Sequence, residues 1–390
     1  MTGSSNTEPR PRARDLGITI GRFPPGLHNA ITDVAGVRVG QTTLISGDGD
    51  LVVGQGPVRT GVTVVVPHEG DVGAEPVFAG VHVLNGNGEM TGTLWIEESG
   101  LLTTPVALTN THSVGVVRDA LIAYEVTQAQ RPESFWSLPV VAETYDGWLN
   151  DINGMHVTAE HVWRALESAA PGPVAEGCVG GGTGMICHEF KGGTGTSSRV
   201  LPAANGGWAV GALVQANYGA RHLLRIDGVP VGRAIGHDEV PGTRQAPAAP
   251  SGDGSIIVVV ATDAPLLPHQ CRRLAQRATI GLARAGGIGA DSSGDIFLAF
   301  AIGNRGLPAA AASGQADPVA VAMVPNQAMT PLFEACAEAT EEAIVNALCA
   351  ATTTTGINGR VVHALPHERV RALVAAPAQS ARSRRARPAG

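Results

Sequence analysis

The sequence predicts a mixed α/β fold, with two sheets packed face to face and helices outside them. Short Val- and Ile-rich runs recur along the 390 residues. Longer helical patterns interrupt them too unevenly for a plain βαβ repeat. The 51 glycines and 26 prolines require many tight turns, and 44% apolar residues supply a large core, which excludes bulk disorder. No internal repeat is present.

The first 14 residues carry Arg10, Arg12 and Arg14 without an apolar pattern and predict a frayed, flexible start. Strands are expected at Val34–Leu44, Val62–Pro67, Val81–Leu84 and Pro105–Thr109, then a helix over Ser113–Val126. A strand at Pro139–Glu143, a helix at Ala159–Ala169 and a strand at Trp208–Ala216 follow. Pro241–Gly254 is a turn-rich, apolar-poor linker that runs straight into the strand Ser255–Thr262. The helix Pro268–Ala285 stops at Gly286-Gly287, where a left-handed residue costs glycine nothing. After a strand at Ile296–Ile302, the helix Pro331–Ala351 has Thr330 as N-cap, Pro331 in the first position and a stripe of Leu332, Cys336, Ile344 and Leu348. From Pro377 to Gly390 a basic, low-complexity tail reads as a disordered, solvated end.

Charge and motifs remove several functions. A net charge of −7 with 4% aromatic residues offers no footprint for nucleic acid. No run reaches the ~20 apolar residues that span a bilayer, and no apolar segment follows the basic start as in a secretory signal. Cys178, Cys187, Cys271, Cys336 and Cys349 are odd in number and scattered, which reads as reduced thiols in a cytoplasmic protein. Cys187-His188 with Cys178 lacks metal-site spacing. None of the 12 histidines falls in a catalytic or metal motif, and G-x-S-x-G and H-E-x-x-H are absent. Gly86-Asn87-Gly88-Glu89, with no clear strand before it, and Gly177–Gly184 lack the phosphate-loop pattern and read as close-packing or pocket-shaping loops.

The Gly254-Ser255 junction offers a chemistry of its own. A serine hydroxyl can attack the carbonyl before it, giving an ester that water opens. The attack needs a twisted backbone, which glycine enters cheaply, and a rigid strand to hold the oxygen. The product carries a nucleophile and an α-amine on one residue. That amine titrates near ~8 and can serve as a local base, which a serine enzyme without an assigned histidine requires. His112 and His222 are the substitutes on offer.

Six segments, in order over nearly the whole chain, carry a resemblance: Arg14-Asp-Leu-Gly-Ile-Thr-Ile-Gly21, Leu27-His-Asn-Ala-Ile-Thr-Asp-Val-Ala-Gly-Val-Arg-Val-Gly40, Asn85-Gly-Asn-Gly-Glu-Met-Thr-Gly92, Glu143-Thr-Tyr-Asp-Gly147, Leu213-Val-Gln-Ala-Asn-Tyr-Gly219 and Gly254-Ser-Ile-Ile-Val-Val-Val-Ala-Thr-Asp-Ala-Pro265. The chain resembles the L-aminopeptidase/D-amino-acid esterase-amidase (DmpA) and β-peptidyl aminopeptidase family. The resemblance implies a four-layer αββα sandwich, similar to N-terminal-nucleophile hydrolases with different strand connectivity. It implies a precursor that cuts itself at Gly254-Ser255 into an α chain ending at 254 and a β chain from 255, together one domain over 15–376. It further implies homotetramers of the αβ unit, no metal or organic cofactor, and a small peptide, amide or ester substrate with a free amine.

Carried over residue by residue, the resemblance makes Ser255 the nucleophile of both cleavages. Ser293 becomes a second catalytic serine and Asp295 its acidic partner. Some relatives have Glu at that position, and whether the shorter Asp arm fully replaces it in the proton route stays open. Asn217 resembles the family's oxyanion donor and Tyr145 its active-site tyrosine. Glu143 is the candidate for the substrate's ammonium group, because an aminopeptidase needs a negative group at the blind end of its pocket. Asp146 is placed to share that role and Trp148 to wall the pocket. The rival enzyme reading is an acyltransferase like the ornithine acetyltransferases, which use Thr where this chain has Ser255. A nicotinamide oxidoreductase lacks its fingerprint here, and a non-catalytic scaffold of the same fold is the remaining alternative.

Overall fold

The computed structural model describes residues 10–129, 133, 135–243, 254–308 and 318–385, with side chains to 376. Most of the linker expected at 241–254, the first nine residues and the last five lie outside the described residues. One sheet holds β1 (Arg38–Ser46), β2 (Val58–Val66), β5 (Val106–Asn110) and β6 (Val140–Thr144) in the order β1-β2-β5-β6. The other contains β3 (Val77–Gly86), β4 (Leu101–Leu102), β9 (Gly193–Val200), β10 (Ala209–Tyr218), β11 (Gly254–Thr262) and β12 (Gly294–Ala301), ordered β4-β3-β12-β11-β10-β9. Two hairpins, β7 (Ile186–Cys187) with β8 (Phe190–Lys191) and β13 (Thr354–Thr355) with β14 (Val361–Val362), stand apart. The helices are α1 (Thr93–Ser99), α2 (Val114–Gln128), α3 (Ala159–Glu167), α4 (Val231–Ala234), α5 (Pro268–Arg284), α6 (Thr330–Ala350) and α7 (His367–Arg385).

Three cores separate four layers, giving the αββα sandwich. Val62, Val64 and Val141 meet Val117 and Leu121 of α2 and Val162 of α3. Val65, Leu108 and Val140 meet Leu213, Ile257, Val259 and Leu298 between the sheets. Val258, Val260, Phe297 and Val214 meet Leu274 of α5 and Leu332 and Ile344 of α6. The unbroken apolar run of β11 follows from this placement, since both faces of that strand are buried. Among the described residues no helix is long and apolar enough to cross a membrane.

All eight expected strands are present, with ends displaced by up to four residues. Several other expectations change. Arg10–Arg14 is anchored rather than frayed: Arg12 donates to the carbonyls of His28, Asn29 and Thr196, Arg14 pairs with Glu342, and Ala13 is fully buried. Thr330 does not cap α6, which begins at Thr330 itself without a side-chain cap bond, although Pro331 does lie in its first turn. Nor does α6 present only one stripe. Glu338, Glu342 and Asn346 are also buried, because Arg199, Arg14 and Ala13 supply their partners. The helix α7 runs on past 377, where the sequence reading begins a disordered tail. Gly86 ends a strand after all, but only the seven-residue α1 follows. Gly286 has φ +105°, in keeping with its expected role as a helix stop.

Candidate active site

The ends of β10, β11 and β12 bring the expected residues together. On β11, Ser255 has the same parity as Ile257 and Val259, whose side chains fill the space between the sheets. On β10, Asn217 shares parity with Leu213 and Gln215, and Gln215 donates to Thr109 O and Thr144 Oγ1 across that space at 2.8 Å. Asn217 and Ser255 are direct partners in the antiparallel register. Opposed residues on one face hold their Cβ atoms about 5 Å apart. Amide and hydroxyl therefore stand side by side, both buried, at the end of the inter-sheet core.

Gly254 has φ +73°, and any side chain there would strike the carbonyl oxygen of Asn217. Glycine is required twice over, by conformation and by contact. Ser255 Oγ accepts the Gly294 N–H at 3.0 Å, which fixes the hydroxyl's direction. Ser293 donates its hydroxyl to Asp295 Oδ1 at 2.6 Å, and both residues are 2% exposed. Burial raises the Asp295 pKa, while the Ser293 hydroxyl and the Ile256 N–H pull it back. The pairing of β12 with β3 shifts between Asp295 and Ile296, where β3 carries an extra residue, Leu84.

Asn217 is held at both ends of its amide. Oδ1 accepts the Ile186 N–H at 2.8 Å, and Nδ2 donates to Tyr145 O at 2.9 Å. One N–H remains to meet a developing oxyanion. Tyr145 thus contributes a backbone carbonyl as well as a half-exposed ring, whose hydroxyl lies over Gly147.

Glu143 is the penultimate residue of β6, with one oxygen taking the Thr111 hydroxyl and the other the Glu89 N–H at 3.0 Å. Burial raises its pKa and these two bonds moderate the rise. A side chain at Gly88 would lie 3.3 Å from Glu143 Oε1 and 3.1 Å from Gly294 Cα. The Gly86–Glu89 loop is therefore the seam between Glu143 and the residue that orients Ser255. Each carboxylate oxygen keeps a lone pair for a cation. The glycines of the 177–184 loop pack closely instead, 180 on Thr63 and 181 on Gln215.

Among the described residues, the Asp146 and Trp148 side chains make no hydrogen bond to Ser255, Asn217, Ser293 or Asp295. Asp146 is fully buried among Thr60, Asn110 and Asn150, and burial first pushes its pKa up to about 7. Trp148 packs with Leu149 and Val362 beneath the Arg360 guanidinium, 4.2 Å from the ring centre. His112 is exposed, with its charge felt at Glu143, and His222 lies toward His188. Among the described residues no group of three or more His, Cys, Asp or Glu is placed to hold a metal ion. The donors missed from sequence are the backbone N–H groups of Gly294, Glu89 and Ile186, and the Thr111 hydroxyl; only strand register could have found the first.

A buried nucleophile, an adjacent amide donor and a serine–acid pair can perform acyl transfer. Comparison with known proteins gives the family. The profile of peptidase family S58 matches residues 29–362. The β-peptidyl aminopeptidase BapA of Sphingosinicella microcystinivorans is 52% identical over 381 residues, 96% of this chain and 94% of that one. A β-aminopeptidase from Burkholderia sp. superposes with a TM-score of 0.87 at 59% identity, over 93% of this chain and 98% of that one. The L-aminopeptidase D-Ala-esterase/amidase of Ochrobactrum anthropi, a prototype for the serine aminopeptidases and a variant among the Ntn hydrolase folds, gives 0.85 at 46% identity, over 95% and 99%. On the evidence of its sandwich, its profile and these relatives, the chain belongs to peptidase family S58.

Proposed function

We propose that the protein is a self-processing serine aminopeptidase that releases an N-terminal residue from peptides, amides or esters. The observation that carries this reading is the pairing of Ser255 with Asn217 directly after a left-handed Gly254. In processing, Ser255 Oγ attacks the Gly254 carbonyl, and the peptide bond gives way to an ester with a free Ser255 amine. Water then opens the ester, leaving Gly254 with a carboxylate. In turnover, the Ser255 amine takes the hydroxyl proton as Oγ attacks the substrate carbonyl. The free N–H of Asn217 meets the oxyanion, the proton passes to the leaving amine, and water hydrolyses the acyl-enzyme. The Ser293–Asp295 pair steadies this proton traffic beside the Gly294 N–H. Because relatives at 52% and 59% identity are named β-aminopeptidases, N-terminal β-amino acids belong to the proposed substrate class. The reading includes a homotetramer of αβ units and a cytoplasmic setting, the latter in keeping with five unpaired cysteines.

The test is release of the first residue from paired α- and β-aminoacyl anilides, each with a free or an acetylated amine. Turnover of the free-amine forms alone is expected; equal turnover of the acetylated forms removes the aminopeptidase reading. Glu143→Gln should raise KM about 10- to 100-fold with a smaller change in kcat, since one buried charge opposite the ammonium is lost. The Glu143 carboxyl binds the ammonium only when ionised, and its pKa is raised. KM should therefore climb as pH falls, beginning above the ordinary glutamate range, and Glu143→Gln should lose that climb.

A further inference from the structure

We propose that Tyr218 is a positioning residue for the Ser293–Asp295 pair, acting through one water held between its hydroxyl and the Asp295 carboxylate. The inference rests on the catalytic reading of that pair. Tyr218 follows Asn217 on β10, so the alternation of the strand turns it to the opposite face, with Val214 and Ala216 and against the helices. It is 4% exposed, and its buried hydroxyl has no hydrogen-bond partner among the described residues. A cavity of about 10 Å³ lies on this face, lined by Tyr218, Ser293, Asp295, Gly286, Gly287 and Ala290 among others. A side chain at Gly287 would collide with Leu282 and reach 3.1 Å from the Tyr218 ring, so glycine keeps this region open.

The lining is largely apolar apart from Tyr218, Ser293 and Asp295, and a cavity of that size is just large enough for one water, which needs two to four polar partners. The Tyr218 hydroxyl is one partner. The Asp295 carboxylate is another, since it accepts from Ser293 and the Ile256 N–H and has further acceptor capacity. The phenol stays protonated, because burial and the neighbouring Cys187, Asp295 and Glu341 all raise its pKa. The water then donates to Asp295, which favours the ionised form that burial opposes.

The titratable groups facing Tyr218 are Cys187 of β7, Glu341 of α6, Asp295 of β12 and His188, whose ring meets the Tyr218 ring edge-on at 4.9 Å. Burial lowers His188 to about 4 and lifts Cys187 to about 12. Glu341, lifted by burial to about 7, is the neighbour to separate from Asp295.

The experiment is a high-resolution crystal structure paired with pH–rate profiles. The unaltered protein should show one ordered water within hydrogen-bonding distance of both Tyr218 Oη and the Asp295 carboxylate. Tyr218→Phe should lower kcat about tenfold with KM within about twofold. With the ionised form less favoured, the lower of the two ionisations in the acid limb of kcat, the one below that of the Ser255 amine, should move up by about one pH unit. The same shift should appear when Tyr218→Phe is made in a Glu341→Gln background. A dry cavity, or a folded Tyr218→Phe protein with an unmoved acid limb, overturns the proposal. If Tyr218→Phe does not fold, the density in the unaltered protein still decides. That density is read without any activity, so it is separate from failure of the catalytic reading, which an active Ser255→Ala protein would announce.

Discussion

Ser255→Ala is expected to leave one full-length polypeptide with no measurable aminopeptidase activity. The substitution removes the oxygen that accepts the Gly294 N–H, and with it the only atom of residue 255 able to form an ester. Loss of a covalent nucleophile typically costs ~10⁶-fold in kcat. Here the loss is compounded, because an uncut chain never releases the amine proposed as the base. The packing cost is small: Ser255 lies at the end of β11, and Ile257, Val259 and Ala261 carry the inter-sheet contacts beyond it. A near-native thermal midpoint alongside dead activity is the expected pairing, and a cut, active variant removes Ser255 from the mechanism.

Asn217→Ala should lower kcat about 10²- to 10³-fold with little change in KM, the usual cost of removing an oxyanion donor. The side chain also holds the Ile186 N–H and the Tyr145 carbonyl, so part of the loss in Ala could come from a displaced loop. Asn217→Asp separates the two effects. It keeps the shape and the acceptor for Ile186 but replaces both donors by an oxygen, and it should lose at least as much. Steady-state kinetics on the two variants check this; a fully active Asn217→Asp would show that the oxyanion is met elsewhere.

Much of the fold is legible because its central strands are buried on both faces. The run Ser255–Thr262 must be hydrophobic throughout, and such a run announces a strand from sequence alone. The edge strand β9 sends the opposite signal. Gly193-Thr-Gly-Thr-Ser-Ser-Arg-Val200 looks like a turn, yet it lies beneath α6, where Gly195 admits the helix backbone at Ala343. Its Thr196, Ser197 and Ser198 hydroxyls are satisfied by Ala212 O, Asn29 and Asp33 from distant segments. Local pattern cannot foresee partners that far along the chain.

The site divides in the same way. Ser255, Asn217, Ser293 and Asp295 are legible through the family resemblance, and strand register sets Asn217 opposite Ser255 and Asp295 opposite Ile256, the next residue. Asp146 and Trp148 belong to the same motif stretch as Glu143, and the turn after β6 carries Asp146 toward Thr60, Asn110 and Asn150 and Trp148 onto Leu149, Val362 and Ile186. Nearness in sequence is no measure of direction once a strand ends. The backbone donors left no trace, because any residue type supplies an N–H and only the fold decides which one is free.

The mass of the freshly purified, denatured protein tests the central claim most directly. Two chains are expected, residues 1–254 and 255–390, the smaller beginning Ser-Ile-Ile-Val-Val. A single chain of the full mass, in a preparation that removes N-terminal residues at an undiminished rate, would contradict the account.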